Sequence, residues 1–133
     1  MGGYGAVKLG LRKPDQFAAV ASFSWALALA ESMDSLLQLR SQAYWAGIFG
    51  PLEQFKGSEN DLIHLIETID PSTAPRFFIS CGTEDQLYPA SEYAADKLQK
   101  RKIAVTFESG TGDHDWNFWD QWIQRVLQWL FSE

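Results

Sequence analysis

Two segments of this sequence carry an acid and a base where the two groups could do chemistry together. Asp85 follows a buried, strand-like run, Arg76–Gly82, and His114 follows a second strand-like run, 103–109. Open α/β sheets place functional groups just beyond the carboxyl ends of their strands. A histidine can take a proton from a nucleophile, and a carboxylate can fix the tautomer of that histidine. Asp85 and His114 are therefore candidates for one site at one edge of a sheet.

The first residues, Met1-Gly2-Gly3, match the second half of the pattern G-x-S-x-G. This pattern forms a sharp turn from strand to helix, and the turn presents a serine nucleophile above a sheet. Met1 corresponds to the residue after the serine, and Gly2 corresponds to the last glycine of the pattern. The serine of such a turn would therefore precede residue 1. A flexible N-terminus is the alternative interpretation of the same residues.

The order of this turn, Asp85 and His114 is the order found in the α/β-hydrolases. The sequence resembles the esterase D branch of that superfamily, which includes tributyrin esterase-like carboxylesterases and S-formylglutathione hydrolases. The motifs that carry the resemblance are M-G-G-Y-G-A at 1–6, P-D-Q-F-A-A-V-A-S-F-S at 14–24, C-G-T-E-D-Q-L-Y at 81–88 and G-D-H-D-W-N-F-W at 112–119. The resemblance covers nearly the whole chain and is weakest across residues 25–73, where such enzymes vary their cap.

The resemblance implies that Asp85 is the acid and His114 the base of a Ser–His–Asp triad. It also implies that the backbone N–H of Met1 is one donor of the oxyanion hole. The expected activity is that of a serine carboxylesterase on small, short-chain acyl esters, with no cofactor. Two alternatives stay open: an S-formylglutathione hydrolase-type thioesterase, and a non-catalytic truncated domain that acts only structurally.

No position of this sequence matches the nucleophilic serine of that family. Loss of the nucleophile lowers kcat by about 10⁶-fold in serine hydrolases. We therefore expect a C-terminal portion of the enzyme that is inactive on its own. Ser22, Ser24 and Cys81 could lie at the same sheet edge, but none has the glycines of the turn around it. Cys81 is predicted to be a small buried hydrophobic residue.

A metal site is not predicted around His114. Asp113 and Asp115 flank this histidine, but neighbours in sequence cannot all converge on one ion without further ligands. The sequence contains neither H-E-x-x-H nor a pair of cysteines at metal-binding spacing.

The remaining pattern alternates strands and helices and predicts an α/β fold. We expect the C-terminal part of an α/β-hydrolase, with about three parallel strands flanked by helices, as one partial domain over 1–133 with a cap-like region at about 25–73. The predicted strands are 17–23, 76–81 and 103–108, and the predicted helices are 3–12, 31–42, 59–69, 89–100 and Trp116–Phe131. A turn is predicted at 47–51.

The last predicted helix has apolar residues at three- and four-residue spacing, which predicts one face packed on the sheet. These residues are Trp119, Trp122, Ile123, Val126, Leu127 and Leu130.

Composition limits the partners. The chain has 133 residues, of which 46% are hydrophobic, and this predicts a single folded domain. The net charge of −6, without a basic run, argues against nucleic acid. The longest uncharged run, 17–30, is too short to cross a bilayer, so no membrane partner is expected. The single cysteine is compatible with the cytoplasmic location that we predict.

Strand 17–23 would lie at the inner edge of this part of the sheet. An unpaired edge exposes backbone N–H and C=O groups to any strand that can pair with them. We therefore expect a homo-oligomer, or pairing with a missing N-terminal half, through this edge.

Overall fold

The computed structural model describes residues 1–24 and 28–132. Residues 25–27, the first three of the predicted cap-like region, lie outside the described residues, as does residue 133. In chain order, the elements are α1 (Gly2–Arg12), β1 (Ala19–Phe23), α2 (Met33–Leu39), α3 (Gln42–Phe49), α4 (Leu62–Thr68), β2 (Arg76–Gly82), α5 (Tyr88–Lys100), β3 (Val105–Gly110) and α6 (Trp116–Phe131). A short 3-10 turn, Leu52–Gln54, lies between α3 and α4.

The three described strands form one parallel sheet in the order β1-β2-β3. β2 is the central strand and is buried from its second residue onwards, as expected for a parallel strand covered on both faces. Phe23 pairs with Ser80, and Gly82 pairs with Gly110, so the carboxyl ends of the strands meet at one edge of the sheet. The predicted fold class, α/β with about three parallel strands flanked by helices, is confirmed.

Alternate residues of β2 lie on opposite faces of the sheet, because successive side chains of a strand point to opposite faces. Phe77 and Ile79 belong to the main core, together with residues of α1, α4 and α5 such as Val7, Ile66 and Leu98. Phe78 points to the other face, where its ring contacts Trp122 and Trp129 of α6 at centroid distances of 6.5 and 5.4 Å. Helices thus cover both faces of β2.

The predicted sheet-facing side of α6 is wrong for three of its six residues. Ile123, Leu127 and Leu130 are exposed, with 41%, 47% and 39% of their surface accessible. The buried residues of α6 are Phe118 and Val126.

Polar contacts join α6 to the sheet in this orientation. Arg125 donates two hydrogen bonds, of 2.8 and 2.6 Å, to the Glu108 carboxylate on β3. At the other end of α6, the Arg76 guanidinium donates to the carbonyl oxygens of Trp129 and Leu130, at 3.2 and 2.7 Å. Together with the packing of Phe78 on Trp122 and Trp129, these contacts join α6 to β2 and β3 while Ile123, Leu127 and Leu130 stay exposed.

Two strands begin later than the sequence pattern predicts. Strand β1 starts at Ala19, opposite Arg76, and Pro75 before Arg76 has no N–H to extend the ladder. Strand β3 starts at Val105, because Lys102 has a left-handed φ of 59° and the N–H of Ile103 bonds to Leu98 O at the end of α5. Ile103 is buried in the core but lies outside the strand.

The region between β1 and β2 contains two short helices where one helix, 31–42, was predicted. The chain is extended at Arg40, and the Ser41 side chain accepts a hydrogen bond from the N–H of Tyr44. Ser41 therefore caps a new helix, α3. The predicted turn at 47–51 is wrong at Gly47, Ile48 and Phe49, which lie in the last turn of α3.

Candidate active site

The structure brings Asp85 and His114 together at the carboxyl edge of the sheet. Asp85 follows β2 and His114 follows β3, and Nδ1 of His114 lies 3.0 Å from Oδ2 of Asp85. The Asp85 side chain is fully buried, whereas 43% of the His114 side chain is accessible. A carboxylate only accepts hydrogen bonds, so Nδ1 carries the proton in this pair. Nε2 is then the ring nitrogen that can take a proton from a nucleophile.

The buried Asp85 carboxylate is fixed by a second contact. Its Oδ1 accepts a hydrogen bond of 2.9 Å from the N–H of Leu87. The backbone N–H of Asp85 bonds in turn to the carbonyl of Gly82, at 3.1 Å, which closes the turn after β2. A buried carboxylate needs such partners, because an unpaired one carries a large desolvation cost. Asp85 is therefore held in place independently of the histidine.

Hydrogen bonds also join the loop of Asp85 to the loop of His114. The N–H of Thr83 donates to Gly110 O at 3.0 Å, and the N–H of Glu84 donates to Gly112 O at 3.1 Å. In return, the N–H of Gly112 donates to the Glu84 carboxylate at 2.7 Å. This N–H, and then the hydroxyl of Thr83, hold the pKa of Glu84 below its ordinary value.

Two glycines permit this close approach. A Cβ atom at Gly82 would lie 2.1 Å from the carbonyl oxygen of Gly112, which is far inside van der Waals contact. Gly112 has a φ of +148°, a conformation that residues with side chains rarely adopt. The two loops can therefore touch only because neither residue has a side chain.

The start of α6 orients the His114 ring. Asp115 caps α6 by accepting a hydrogen bond of 3.0 Å from the N–H of Phe118. The N–H of His114 donates to the Asp113 carboxylate at 2.7 Å. The Trp119 ring packs edge-on against the imidazole at a centroid distance of 5.0 Å. The flanking carboxylates thus bind backbone N–H groups, and in the described part of the chain no three potential metal ligands come together.

Two cavities meet at His114 and Met1. The first, of about 590 Å³, is lined on one side by Ala21 and Ser24 and on the other by Trp119. The second, of about 270 Å³, lies under α2 and α3. Met1 is the N-cap of α1, and the first N–H groups of a helix have no acceptor within it. The position predicted for the oxyanion donor therefore lies at the junction of both cavities, beside the predicted base.

Known proteins are similar to this chain over almost its whole length. A family model described as "Putative esterase" matches residues 1–130. The chain belongs to this esterase family. An acetyl esterase from Caldicellulosiruptor saccharolyticus is 29% identical to it over 136 residues.

Solved structures of related proteins are similar to the chain over nearly its whole length. An S-formylglutathione hydrolase from Staphylococcus aureus shares 32% identity and superposes with a TM-score of 0.81, over 99% of this chain. A substrate-bound fluorophosphonate-binding serine hydrolase F from Staphylococcus aureus shares 31% identity, with a TM-score of 0.84, also over 99% of this chain. These matches support the predicted esterase D-like α/β-hydrolase family.

The chain spans about half the length of these relatives. It covers 51% of the acetyl esterase, 52% of the S-formylglutathione hydrolase and 51% of the serine hydrolase. Within the described residues, none of the helices is both long and apolar enough to cross a membrane.

The other candidate nucleophiles of the chain are poorly placed. Ser22 and Ser24 are 2% and 1% exposed, and no hydrogen bond joins either hydroxyl to His114 within the described residues. Cys81 is fully buried, and burial, followed by the negative charge of Asp85, raises the pKa of its thiol to about 11. A thiol with this pKa is almost wholly protonated at neutral pH and is a poor nucleophile.

Two groups of residues at the site were not predicted from the sequence. Glu84 was not singled out, because its bond to Gly112 depends on the register between β2 and β3. The aromatic wall of the second cavity, Trp45 and Phe49, was also missed. Its signal was present as two aromatic residues four positions apart, a spacing that places them on one side of a helix.

Proposed function

We propose that this chain is part of a serine carboxylesterase that cleaves short-chain acyl esters such as tributyrin, with Asp85 as the acid and His114 as the base. The observation that carries the proposal is the 3.0 Å contact between Nδ1 of His114 and the buried Asp85 carboxylate, at the junction of two cavities. Membership of an esterase family supports the same reaction class.

The proposed reaction uses Nε2 of His114 as the proton acceptor. Nε2 takes the proton of a serine hydroxyl while the serine oxygen attacks the ester carbonyl. Asp85 stabilises the imidazolium that forms, and backbone N–H groups at the start of α1, that of Met1 included, stabilise the oxyanion. His114 then gives the proton to the departing alcohol oxygen. Water, activated by the same nitrogen, releases the carboxylic acid from the acyl-serine.

We also propose that the serine lies on a segment that joins this chain at the N-terminal end of α1. The match of Met1-Gly2 to the end of G-x-S-x-G supports this position, and the esterase relatives are about twice as long as the chain. In the described sheet, β1 is an edge strand that pairs only with β2. This edge is the proposed contact with the serine-bearing half or, in its absence, with a second copy of the chain.

A thioesterase is the second candidate. Its support is the S-formylglutathione hydrolase, which is 32% identical over nearly the whole chain. Oxygen esters and thioesters use the same triad chemistry, so the site geometry favours neither. A comparison of kcat/KM for an S-acylglutathione and for a p-nitrophenyl ester of the same acyl group decides between them.

The test of the esterase proposal is an assay on two proteins with short p-nitrophenyl esters. One is residues 1–133, and the other is the same chain extended upstream through the Gly-x-Ser that its coding sequence is expected to contain. We expect turnover only from the extended chain, and we expect His114→Ala and Asp85→Asn to lower its kcat by about 10⁴-fold or more.

The control for both substitutions is His64→Ala in the extended chain, which removes the other histidine, on α4. This variant should keep normal turnover. Turnover by residues 1–133 that survives His114→Ala would overturn the triad assignment. Absence of turnover from a folded, extended chain would favour the non-catalytic alternative.

A further inference from the structure

Strand β3 forms the second edge of the described sheet. It pairs with β2 and with no other described strand. Its residues are half-buried, apart from the exposed Ser109, whereas β2 is buried from its second residue onwards. The other edge, β1, is the proposed contact with the serine-bearing half. The β3 edge is therefore the one that remains for another partner.

The β3 edge lacks the features by which proteins commonly prevent a further strand from pairing. Such features are prolines, lysines and unpaired charges on the edge strand. Val105–Gly110 contains neither proline nor lysine. Its one charged residue, Glu108, accepts hydrogen bonds of 2.8 and 2.6 Å from Arg125 of α6. The first three residues of the strand are types that favour strands. The sequence of β3 thus leaves its edge open to pairing.

Three residues of β3 direct their backbone groups away from β2. The carbonyl oxygen of Ala104 accepts a hydrogen bond of 2.8 Å from Phe77, and that of Gly110 accepts one of 3.0 Å from Thr83, just after β2. Backbone groups of alternate residues point to opposite sides of a strand. The N–H and C=O groups of the odd-numbered residues therefore point outwards. These residues are Val105, Phe107 and Ser109.

A cavity of about 400 Å³ lies beside this edge, between β3 and α5. Val105 and Phe107 of β3 line it, together with residues of α5 that include Glu92 and Asp96. Asp96 is paired with Lys100 at 2.7 Å. Directly opposite residues of paired strands lie on the same face of a sheet and contact each other. A strand added to β3 would therefore pack its own side chains against Val105 and Phe107.

Charges at the two ends of β3 favour antiparallel over parallel pairing of two copies. Before the strand, Lys102 is exposed and forms no ion pair with any residue that the structure describes. Beyond the strand, the carboxylates of Glu84 and Asp113 are exposed. Antiparallel strands place the start of one copy beside the end of the other, so Lys102 approaches these two carboxylates. Parallel strands would place lysine beside lysine.

We propose that this chain forms a two-fold symmetric dimer in which the β3 strands of two copies pair antiparallel. Phe107 lies opposite Phe107 of the second copy, and Val105 lies opposite Ser109. Each of these pairs exchanges both of its N–H···O bonds, and the two sheets become one. Lys102 of each copy then lies beside the loops that bring Asp85 and His114 together in the other copy.

This interface differs from the β1 contact proposed above and does not depend on the esterase reaction. Its test must therefore close the β1 edge without disturbing the sheet. The carbonyl oxygen of Ala18 accepts a hydrogen bond of 3.1 Å from Arg76, so by alternation the N–H of Ala21 points away from β2. A proline is tolerated on an edge strand where the N–H faces outwards. Ala21→Pro therefore blocks β1, and Ser109→Pro blocks β3 in the same way.

The mass of the particle is measured by analytical ultracentrifugation on residues 1–133, with circular dichroism to show that each variant is folded. Ala21→Pro should sediment as a dimer, and Ala21→Pro with Ser109→Pro should sediment as a monomer. In the chain extended upstream through Gly-x-Ser, where the added half is expected to cover β1, the unsubstituted protein should be a dimer and Ser109→Pro a monomer. A monomeric, folded Ala21→Pro variant would overturn the proposal, as would a dimer that persists in the double variant.

Charge reversal at Lys102 tests the antiparallel arrangement. In the Ala21→Pro protein, Lys102→Glu should raise the dissociation constant of the dimer about tenfold, because the two-fold axis repeats the contact and attraction becomes repulsion. Lys13→Glu is the matched control, since it makes the same change of charge at an exposed lysine after α1. Equal effects of the two substitutions would contradict the proposed arrangement.

A cysteine on the two-fold axis tests the register. Cα atoms of a hydrogen-bonded antiparallel pair lie about 5.5 Å apart, which a disulfide can bridge. In the Ala21→Pro protein, Phe107→Cys should therefore form a disulfide-linked dimer on oxidation. Ser109→Cys should not, because its opposite residue is Val105. The native Cys81 is fully buried and gives little background.

Equal cross-linking at both positions, or none at Phe107→Cys, would overturn this register. The esterase proposal fails through absence of turnover in the extended chain. The dimer fails through sedimentation and cross-linking, which require no turnover, so the two failures are distinct.

Discussion

The loops that carry Asp85 and His114 are held differently from the helices that lie over the second cavity. Two backbone hydrogen bonds, and a third from the N–H of Gly112 to the Glu84 carboxylate, join the two loops, and two glycines allow their main chains to touch. Helices α2 and α3 are held instead by stacked aromatic rings and by one indole hydrogen bond. The acid–base geometry thus depends on the main chain, and the shape of the second cavity depends on side chains.

This difference separates two properties of the molecule. A substitution in the aromatic wall changes volume and packing but leaves the hydrogen bonds between the two loops in place. A substitution that displaces the main chain of either loop moves Asp85 relative to His114. We therefore expect substitutions in the aromatic wall to alter the second cavity without loss of the acid–base pair. A substitution that displaces either loop should disturb that pair.

The largest expected loss of unfolding free energy follows from a substitution beneath the aromatic wall. Phe55 is 2% exposed and contacts Phe49, so Phe55→Ala leaves a cavity beneath the wall. The free energy of unfolding should fall by about 3 to 5 kcal/mol, as measured by urea denaturation. In the protein that remains folded, the Nδ1–H resonance of His114 should persist, because its hydrogen bond to Asp85 lies in the other region. Loss of that resonance in folded protein would contradict the separation of the two regions.

A smaller loss of unfolding free energy is expected from a substitution where the two loops touch. Gly82→Ala would place a Cβ atom 2.1 Å from Gly112 O, so one loop must move. The unfolding free energy should fall by about 1 to 3 kcal/mol, and the Nδ1–H resonance of His114 should shift or vanish. Gly47→Ala is the matched control. A Cβ atom there meets no atom within 4 Å, and the change should stabilise α3 by about 0.5 to 1 kcal/mol.

The sequence predicted the elements that position the acid and the base. Helix α6 has the predicted bounds, Trp116–Phe131, because Asp115 is a good N-cap and the apolar spacing is strong. Asp85 and His114 were placed at the ends of β2 and β3, and parallel pairing of these strands is sufficient to bring them to one edge.

The sequence could not predict features that depend on contacts between distant residues. Which part of α6 faces the sheet depends on its contacts with other elements, such as the pairing of Arg125 with Glu108 and the packing of Trp129 on Phe78, and spacing within the helix contains no information about these contacts. The break between α2 and α3 depends on a local cap at Ser41, within a run whose apolar pattern is compatible with one helix. The second cavity depends on how α2 and α3 pack together, which requires the fold itself.

The smallest predicted effect tests the polar link between the loops. The pKa of Glu84 is lowered by the N–H of Gly112, so the contribution of this bond is fully present above the ordinary glutamate pKa of about 4.3. It is lost as the pH falls through the lowered pKa of Glu84. The amide resonance of Gly112 should therefore titrate at a pH below the ordinary glutamate pKa, as followed by NMR.

Glu84→Gln separates the charge of this residue from its ability to accept a hydrogen bond. Glutamine can still accept from the N–H of Gly112 but does not titrate, so the low-pH transition of that amide should disappear. Glu92→Gln, on the exposed side of α5, is the control and should leave the transition unchanged. A Gly112 amide that titrates identically in Glu84→Gln would mean that another group links the two loops. If the transition disappears while the Nδ1–H resonance of His114 stays, the negative charge of Glu84 is not needed to hold the acid–base pair.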